Sequence, residues 1–168
     1  MIDADVPAMH YSGNGNTSIK RGRRKSIALA VDDDANFREC LRMMLRIGGF
    51  SETIGVGDVE AALAAASERR LDLIVSDWNM APYNGLDLLR AVRANPATRD
   101  TPFILVTASL SEEAWRGAIE LGATDFLVKP FSIEHLHDSA NLALELTQRR
   151  IQSATILQYR RDLRARLR

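Results

Sequence analysis

The stretch LDLIVSDWNM, residues 71–80, joins a strongly apolar run to an acidic residue. Leu73, Ile74 and Val75 form a continuous apolar run, which is typical of a strand buried on both faces of a parallel sheet. Asp77 follows at the exit of that strand. Such an acid is either a turn former or a chemical group presented at the edge of a sheet.

Four other short apolar runs occur, and segments with helical periodicity separate them. The five runs are IALAV (27–31), TIGVG (53–57), LDLIVS (71–76), FILVT (103–107) and DFLVK (125–129). The helical stripes are Phe37, Leu41, Met44 and Leu45; Val59, Leu63 and Ala66; Leu86, Leu89 and Val92; and Ala114, Ala118, Ile119 and Leu121. Strand and helix alternate five times, which predicts a doubly wound α/β domain with helices on both faces of a parallel sheet.

Residues with local structural preferences mark the ends of these helices. Gly48-Gly49 and Gly122 are placed to end the first and fourth helices. Asp58, Ser111 and Ser132 are placed to cap the second, fourth and fifth.

The composition is that of a globular protein with a single domain and tails. The chain has 168 residues, of which 46% are apolar and 26% charged. It contains no apolar run of membrane-spanning length and no signal-peptide pattern, so we expect a cytoplasmic protein without membrane contacts. The single cysteine, Cys40, is expected to be a buried structural thiol. His10, His135 and His137 are expected to be ordinary surface residues.

Charge divides the chain into three segments. Residues 20–25, KRGRRK, contain five cations, and residues 149–168 contain seven arginines and one aspartate. Residues 26–148 contain 10 basic and 19 acidic residues. We therefore predict a disordered basic arm over 1–25, an acidic domain over 26–148, and a basic C-terminal helical extension over 149–168.

Chemically complementary side chains stand at four of the five predicted strand exits. They are Asp32, Asp33 and Asp34 after the first run, Asp77 after the third, Thr107 closing the fourth and Lys129 closing the fifth. The carboxyl ends of parallel strands form the ligand-binding edge of such sheets. Carboxylates about 4 Å apart repel by roughly 4 kcal/mol at an effective dielectric near 20, so clustered acids call for a divalent cation. Oxygen ligands favour Mg²⁺.

The remaining two side chains extend this interpretation. Lys129 offers a positive charge and Thr107 a hydroxyl donor, and both suit phosphoryl oxygens. The set predicts a phosphoryl-handling site with one aspartate as the nucleophile. Each residue alone has a simpler explanation: helix capping for Asp32–Asp34, a turn for Asp77, a strand end for Lys129. Their joint occurrence favours the site.

The motifs VDDD (31–34), VSDWNM (75–80), VTAS (106–109) and DFLVKPF (125–131) resemble the receiver domain of two-component response regulators. The chain is similar to the single-domain chemotaxis regulator of that family. The spacings agree as well, with 44 residues from Asp33 to Asp77, 30 from there to Thr107, and 22 from there to Lys129. The resemblance covers about residues 26–148. It implies a flavodoxin-like (βα)5 fold with strand order 2-1-3-4-5.

The same resemblance implies a role for each site residue. Asp77 would accept a phosphoryl group from a partner histidine kinase or phosphotransfer protein, without the chain being a turnover enzyme. The other implied roles are Mg²⁺ binding by Asp32, Asp33, Asp77 and the backbone carbonyl of Asn79; phosphoryl binding by Thr107 and Lys129, with a cis Lys129–Pro130 peptide; and tuning of dephosphorylation by Asn79 and Ser109.

Two residues form the implied switch and two the expected partner surface. Thr107 and Phe126 would change position on phosphorylation, and Trp115 and Phe126 would meet an unknown downstream protein. The family often has tyrosine where this chain has Phe126. Ala81 and Asn84 also depart from the family pattern, which leaves the geometry of that loop open.

The C-terminal segment, residues 135–168, contains neither glycine nor proline, so we expect the last helix to run through it. Its apolar seam consists of Leu144, Ile151, Ala154, Ile156, Tyr159 and Leu163. A long helix with an exposed seam predicts pairing with a second copy of the chain or with a partner.

Three other functions stay open at this point. The chain could be a phosphotransfer intermediate in a phosphorelay, or a regulator that contacts DNA through its arginine-rich helix. Nucleic acid is the less favoured partner, because no recognition motif is present. A hydrolase with an aspartyl-phosphate intermediate is the remote alternative, since it would need its nucleophile after the first strand.

Overall fold

The computed structural model describes residues 26–109 and 111–166, with side chains described except at 112–114 and 158–166. The predicted arm over residues 1–25 lies outside the described residues. Within these described residues, five strands and five helices alternate. They are β1 (Ile27–Val31), α1 (Ala35–Ile47), β2 (Glu52–Val56), α2 (Val59–Glu68), β3 (Leu73–Asp77), α3 (Gly85–Ala94), β4 (Phe103–Thr107), α4 (Glu112–Glu120), β5 (Asp125–Val128) and α5 (Ile133–Arg166).

All neighbouring strands are parallel, and their order is β2-β1-β3-β4-β5. The predicted doubly wound fold and its strand order are therefore confirmed. The boundaries of three strands differ from the prediction by one or two residues. Most relevant to the site, β3 includes Asp77, which is in register with Val106 of β4.

The sheet separates two hydrophobic cores, because successive strand residues point to opposite faces. In β1, Leu29 and Val31 pack in the core that contains α2 and α3, whereas Ala28 and Ala30 pack in the core that contains α1 and α5. The helical stripes fill both cores. Leu41 and Leu45 of α1 and Leu89 and Val92 of α3 are buried as predicted; Ile119 of α4 is instead exposed.

The helix boundaries follow the capping residues. The side chain of Asp58 accepts a hydrogen bond from the Ala61 amide at 2.7 Å, and that of Ser132 accepts one from the His135 amide at 3.3 Å. Gly49 and Gly122 follow α1 and α4 with φ values of 98° and 93°. A left-handed conformation of this kind favours glycine and ends a helix.

Two of the predicted environments are wrong. Cys40 is exposed, because the buried face of α1 is defined by Leu41 and Leu45 and leaves position 40 toward solvent. His137 is only 3% exposed. It lies between α5 and α1, where its Nε2 is 2.8 Å from the carbonyl oxygen of Met44.

The last helix continues without a break through the predicted boundary at residue 148. It has 34 residues, and at 1.5 Å per residue it is about 51 Å long. Its contacts with the domain reach beyond residue 148: Arg150 forms an ion pair with Asp100, and Ile151 lines a cleft beside Leu71 and Pro102. Leu144 packs partly against the core rather than lying in an exposed seam. No helix among the described residues has both the length and the hydropathy needed to cross a membrane.

Candidate functional site

The register of the sheet brings the predicted residues to one edge. Val31 of β1 is paired with Ser76 of β3, so Asp32 and Asp77, the next residues, emerge side by side. Thr107 is the last residue of β4, and it is paired with Val128, which directly precedes Lys129. Strand exits that are distant in sequence therefore converge on one small region.

Lys129 lies at the centre of this region. Its Nζ is 2.7 Å from Oδ1 of Asp77 and 3.1 Å from Oδ2 of Asp32. Burial opposes the charged ammonium, but hydrogen bonds to Asp77 and Asp32 outweigh it and raise the pKa of Lys129 above its ordinary value. The lysine is therefore a fixed positive charge between two carboxylates at neutral pH.

Both of these carboxylates are buried, with Asp32 1% and Asp77 6% exposed. Burial raises the pKa of Asp32, although a hydrogen bond from the Asp34 amide and the nearby Lys129 partly offset this effect. The second oxygen of Asp77, Oδ2, accepts a hydrogen bond from the Asn79 amide at 2.8 Å. These contacts fix the direction of the Asp77 carboxylate at the end of its strand.

The three consecutive aspartates have different roles. Asp34 is the N-cap of α1, and its Oδ1 accepts hydrogen bonds from the amides of Asn36 and Phe37. These hydrogen bonds lower the pKa of Asp34. Asp33 is exposed. The capping interpretation is thus correct for Asp34, whereas Asp32 faces Lys129 and Asp77.

The donor set suits a small divalent cation. Mg²⁺ is usually bound by one or two carboxylates together with waters and phosphate oxygens, and Asp32 and Asp77 supply two buried carboxylates at one place. Among the described residues, no group of three or more His, Cys, Asp or Glu side chains is arranged to hold a metal ion. Asp32 and Asp77 are both turned toward Lys129, and the contribution of Asp33 stays a prediction.

Thr107 is buried beside the acids, but its hydroxyl faces its own loop. Oγ1 donates a hydrogen bond to the carbonyl oxygen of Ser109 at 2.7 Å and accepts one from the Ser109 amide at 3.3 Å. The β4–α4 loop is therefore tied to Thr107 by two contacts, and the hydroxyl could donate to another acceptor in place of the Ser109 carbonyl. The Lys129–Pro130 peptide is cis, as the resemblance implied, and the Ala81–Pro82 peptide is cis as well.

The expected partner surface is partly apolar and exposed. Trp115 of α4 is 44% exposed, and Val128 of β5 and Ile119 of α4 are exposed as well. Phe126 of β5 is half-buried and packs against the core on the α3 side of the sheet. It has contact with the core without being fully enclosed.

Two further residues, Gly85 and Phe37, shape the site. A Cβ on Gly85 would lie 2.4 Å from the carbonyl oxygen of Asp77, so only glycine allows α3 to approach β3 this closely. The ring centroid of Phe37 lies 3.7 Å from Nζ of Lys129. The sequence gives no signal for either contact, because each depends on how a helix docks on the sheet.

Comparisons with known proteins agree with this geometry. The family model of the response regulator receiver domain matches residues 28–141. The chemotaxis protein CheY of Pseudomonas aeruginosa is 34% identical over 117 residues, which cover 70% of this chain and 94% of that protein. The probable chemotaxis protein CheY of Rhizobium etli is 37% identical over 108 residues, or 64% of this chain and 84% of that protein.

Solved structures give the same result for the fold. The structure of chemotaxis protein CheY4 of Vibrio cholerae superposes with a TM-score of 0.63 at 33% identity, covering 75% of this chain and 98% of that one. NtrX of Brucella abortus gives a TM-score of 0.72 at 27% identity, covering 79% of this chain but 30% of that one.

Proposed function

Because the chain belongs to the response regulator receiver family, we propose that it is a phosphorylation-dependent switch whose phosphoacceptor is Asp77. The phosphoryl donor is a partner histidine kinase or phosphotransfer protein. The observation that supports this proposal best is the arrangement of Lys129, which contacts two buried carboxylates from different strands at the exit edge of the sheet. Neither helix capping nor turn formation requires such an arrangement.

The transfer step follows from the contacts of Asp77. One carboxylate oxygen of Asp77 attacks phosphorus, so an O–P bond forms while the P–N bond to the donor imidazole breaks. The imidazole leaves with the electron pair and takes up a proton. Lys129 already lies 2.7 Å from Oδ1 of Asp77, and it would stabilise the negative charge that develops on the phosphoryl oxygens.

Mg²⁺ is the proposed cofactor. Asp32, Asp33, Asp77 and the backbone carbonyl of Asn79 would hold it. When bound, Mg²⁺ neutralises charge on the carboxylates and on the incoming phosphoryl oxygens. Lys129 would then be able to turn from Asp32 toward the phosphoryl group.

Phosphorylation would act as a switch through Thr107. A phosphoryl group adds about −1.5 to −2 charges and several acceptor oxygens beside the end of β4. The hydroxyl of Thr107 would donate to one of these oxygens in place of the Ser109 carbonyl, which releases the β4–α4 loop. Phe126 would move into the space left by Thr107, since it is half-buried and already packs against the core.

The proposed output is a change in protein contacts. The surface that would report the switch contains Trp115 and Phe126, with Ile119 and Val128 exposed on the same two elements. Asn79 and Ser109, which adjoin Asp77 and Thr107, would tune the lifetime of the phosphoryl group. We also propose that the C-terminal half of α5 pairs two copies of the chain, because apolar residues there are exposed.

A labelling experiment tests the central proposal. The full-length protein is incubated with Mg²⁺ and acetyl phosphate, and covalent phosphate is measured by intact mass. We expect up to one phosphoryl group per chain, and none on Asp77→Asn. Asp138→Asn, a change in α5, is the matched control and should be labelled like the native protein. Equal labelling of the Asp77→Asn variant would overturn the proposal, and rapid turnover of phosphate esters would favour a hydrolase.

A further inference from the structure

The ammonium group of Lys129 has a third neighbour besides its two carboxylates. Its Nζ lies 3.7 Å from the centroid of the Phe37 ring, well within the range of a cation–π contact. We propose that Phe37 is the residue that positions Lys129 for phosphoryl transfer to Asp77. This inference rests on the proposed function for its catalytic meaning, but the contact itself can be measured independently.

The structure fixes Phe37 from two sides. Its backbone lies in the first turn of α1, where its amide donates a hydrogen bond to the capping carboxylate of Asp34 at 3.1 Å. Its ring meets the ring of Phe131 edge to face, with centroids 6.0 Å apart and planes at 88°. This T-shaped arrangement is favourable for aromatic pairs. Phe131 follows Lys129 by two residues, so the contact between the two rings links α1 to the segment that carries the lysine.

Lysine needs such a support more than most side chains do. Its charge sits on a flexible four-carbon stem, and the ammonium is compact and strongly hydrated. The Lys129 side chain is 27% exposed, so water has access to one side of it. The Phe37 ring turns its electron-rich face toward the ammonium, which attracts the cation and limits the positions that it can adopt.

The ring would affect the reaction because it contacts the ammonium from a different direction than the two carboxylates do. Asp32 and Asp77 hold the ammonium from the sheet side, and Phe37 holds it from α1. When Asp77 is phosphorylated, the contacts of Lys129 with both carboxylates would change, because Nζ turns from Asp32 toward the phosphoryl group. The ring contact depends on neither carboxylate, so it would limit the movement of Nζ and keep it beside the new oxygens.

Phe37 also packs partly against the core beside α1 and α5, so a purely structural role is the alternative. Two substitutions separate the roles. Phe37→Leu keeps an apolar side chain but removes the aromatic face, and Phe37→Tyr keeps the face. Phe50→Leu is the matched control, because Phe50 is a buried phenylalanine of the same core.

The first measurement is the rate at which acetyl phosphate and Mg²⁺ label Asp77 in the full-length protein. Since cation–π contacts are worth about 0.5–2 kcal/mol, we expect Phe37→Leu to slow labelling by about 2- to 30-fold. Phe37→Tyr should restore most of the rate, and Phe50→Leu should lose stability without this loss of rate. In a Lys129→Met background, Phe37→Leu should have no further effect. An undiminished rate in Phe37→Leu, or an equal loss in both backgrounds, would overturn the proposal.

The second measurement needs no phosphorylation. In the NMR spectrum of the unphosphorylated protein, the ring current of Phe37 should shift the ε-methylene protons of Lys129 upfield. This shift should disappear in Phe37→Leu and persist in Phe37→Tyr. If Asp77 is not labelled in the native protein, the proposed function fails, and the shift alone decides the position of the ring. Lys129 resonances that are unshifted in the native protein contradict the contact.

Discussion

Among single residues, Gly85 is important for the backbone of the site because glycine has no Cβ. A Cβ at this position would lie 2.4 Å from the carbonyl oxygen of Asp77 and 2.8 Å from Cδ2 of Leu105. The oxygen belongs to the main chain of β3, so it cannot move without displacing Asp77. Any larger residue would therefore push α3 away from the site or distort β3.

We predict that Gly85→Ala lowers the free energy of unfolding by about 1–3 kcal/mol, the usual cost of overpacking. Gly117 supplies the control, because a Cβ there meets nothing within 4 Å and the residue lies inside α4. Gly117→Ala should stabilise the protein by about 0.5–1 kcal/mol through helix propensity. Urea unfolding with an unchanged m-value measures both changes. Equal effects of the two substitutions would show that the close approach of Gly85 to Asp77 does not contribute to stability.

The position of a residue could be predicted from the sequence where the strand topology alone sets it, and not where the details of packing do. Asp77 and Lys129 were predictable, because parallel strands bring their carboxyl ends to one edge whatever the details of packing. Cys40 and His137 were misplaced, since each lies at the border of a helical stripe where a small rotation decides burial. The contact of Phe37 with Lys129 depends on the docking of α1, which no local pattern reports.

Among the helices and loops, one arginine joins three segments at the end of the sheet opposite the site. Nη1 of Arg93 in α3 donates to the carbonyl oxygens of Arg99 and Thr101, and its Nε and Nη2 donate to that of Gly122. Burial, with a smaller effect of nearby Arg150, lowers the pKa of Arg93 to about 10, so the guanidinium stays charged at neutral pH. Arg93 thus holds the α3–β4 and α4–β5 connections together.

We predict that Arg93→Ala lowers the free energy of unfolding by about 2–3 kcal/mol, because several carbonyl groups lose a charged donor at once. Arg93→Lys should recover little of this, since an ammonium cannot match the geometry of the planar guanidinium. Arg90→Ala is the matched control on the same helix. Arg90 forms an exposed ion pair with Asp87, and its loss should cost less than about 0.5 kcal/mol. Chemical denaturation of the three variants measures these free energies of unfolding. Similar losses for Arg90→Ala and Arg93→Ala would contradict the proposed role of Arg93.

The elements themselves were more predictable than their ends. Five apolar runs, four helical stripes and a last segment without glycine or proline predict the order of strands and helices, because the period of burial is a property of each segment alone. The ends depend on pairing: β3 extends to Asp77 because that residue is in register with Val106. The extension of α5 was predictable from the lack of glycine and proline, but its contact with Asp100 was not.

For the molecule as a whole, α5 extends from beside the site to Arg166 as one element. It begins four residues after Lys129 and continues to Arg166. Arg150 and Ile151 still contact the domain, whereas Ile156 and Leu157 are 54% and 57% exposed. The part beyond Ile151 therefore presents apolar side chains that the described part of the domain leaves uncovered. A helix of this kind is stabilised by pairing with another helix.

We predict that the full-length protein is dimeric in solution and that a chain ending at Gln152 is monomeric. This truncation keeps the contacts of Arg150 and Ile151, so the domain should stay folded and should still be labelled on Asp77. Ile156→Lys in the full chain should weaken the dimer, because it places a charge in the exposed apolar surface. Gln152→Lys, at a polar exposed position of the same helix, is the control and should leave the dimer intact. Light scattering over a range of concentrations reports the mass. A monomeric full-length chain, or a dimer that survives the truncation, would place any partner surface elsewhere on the molecule.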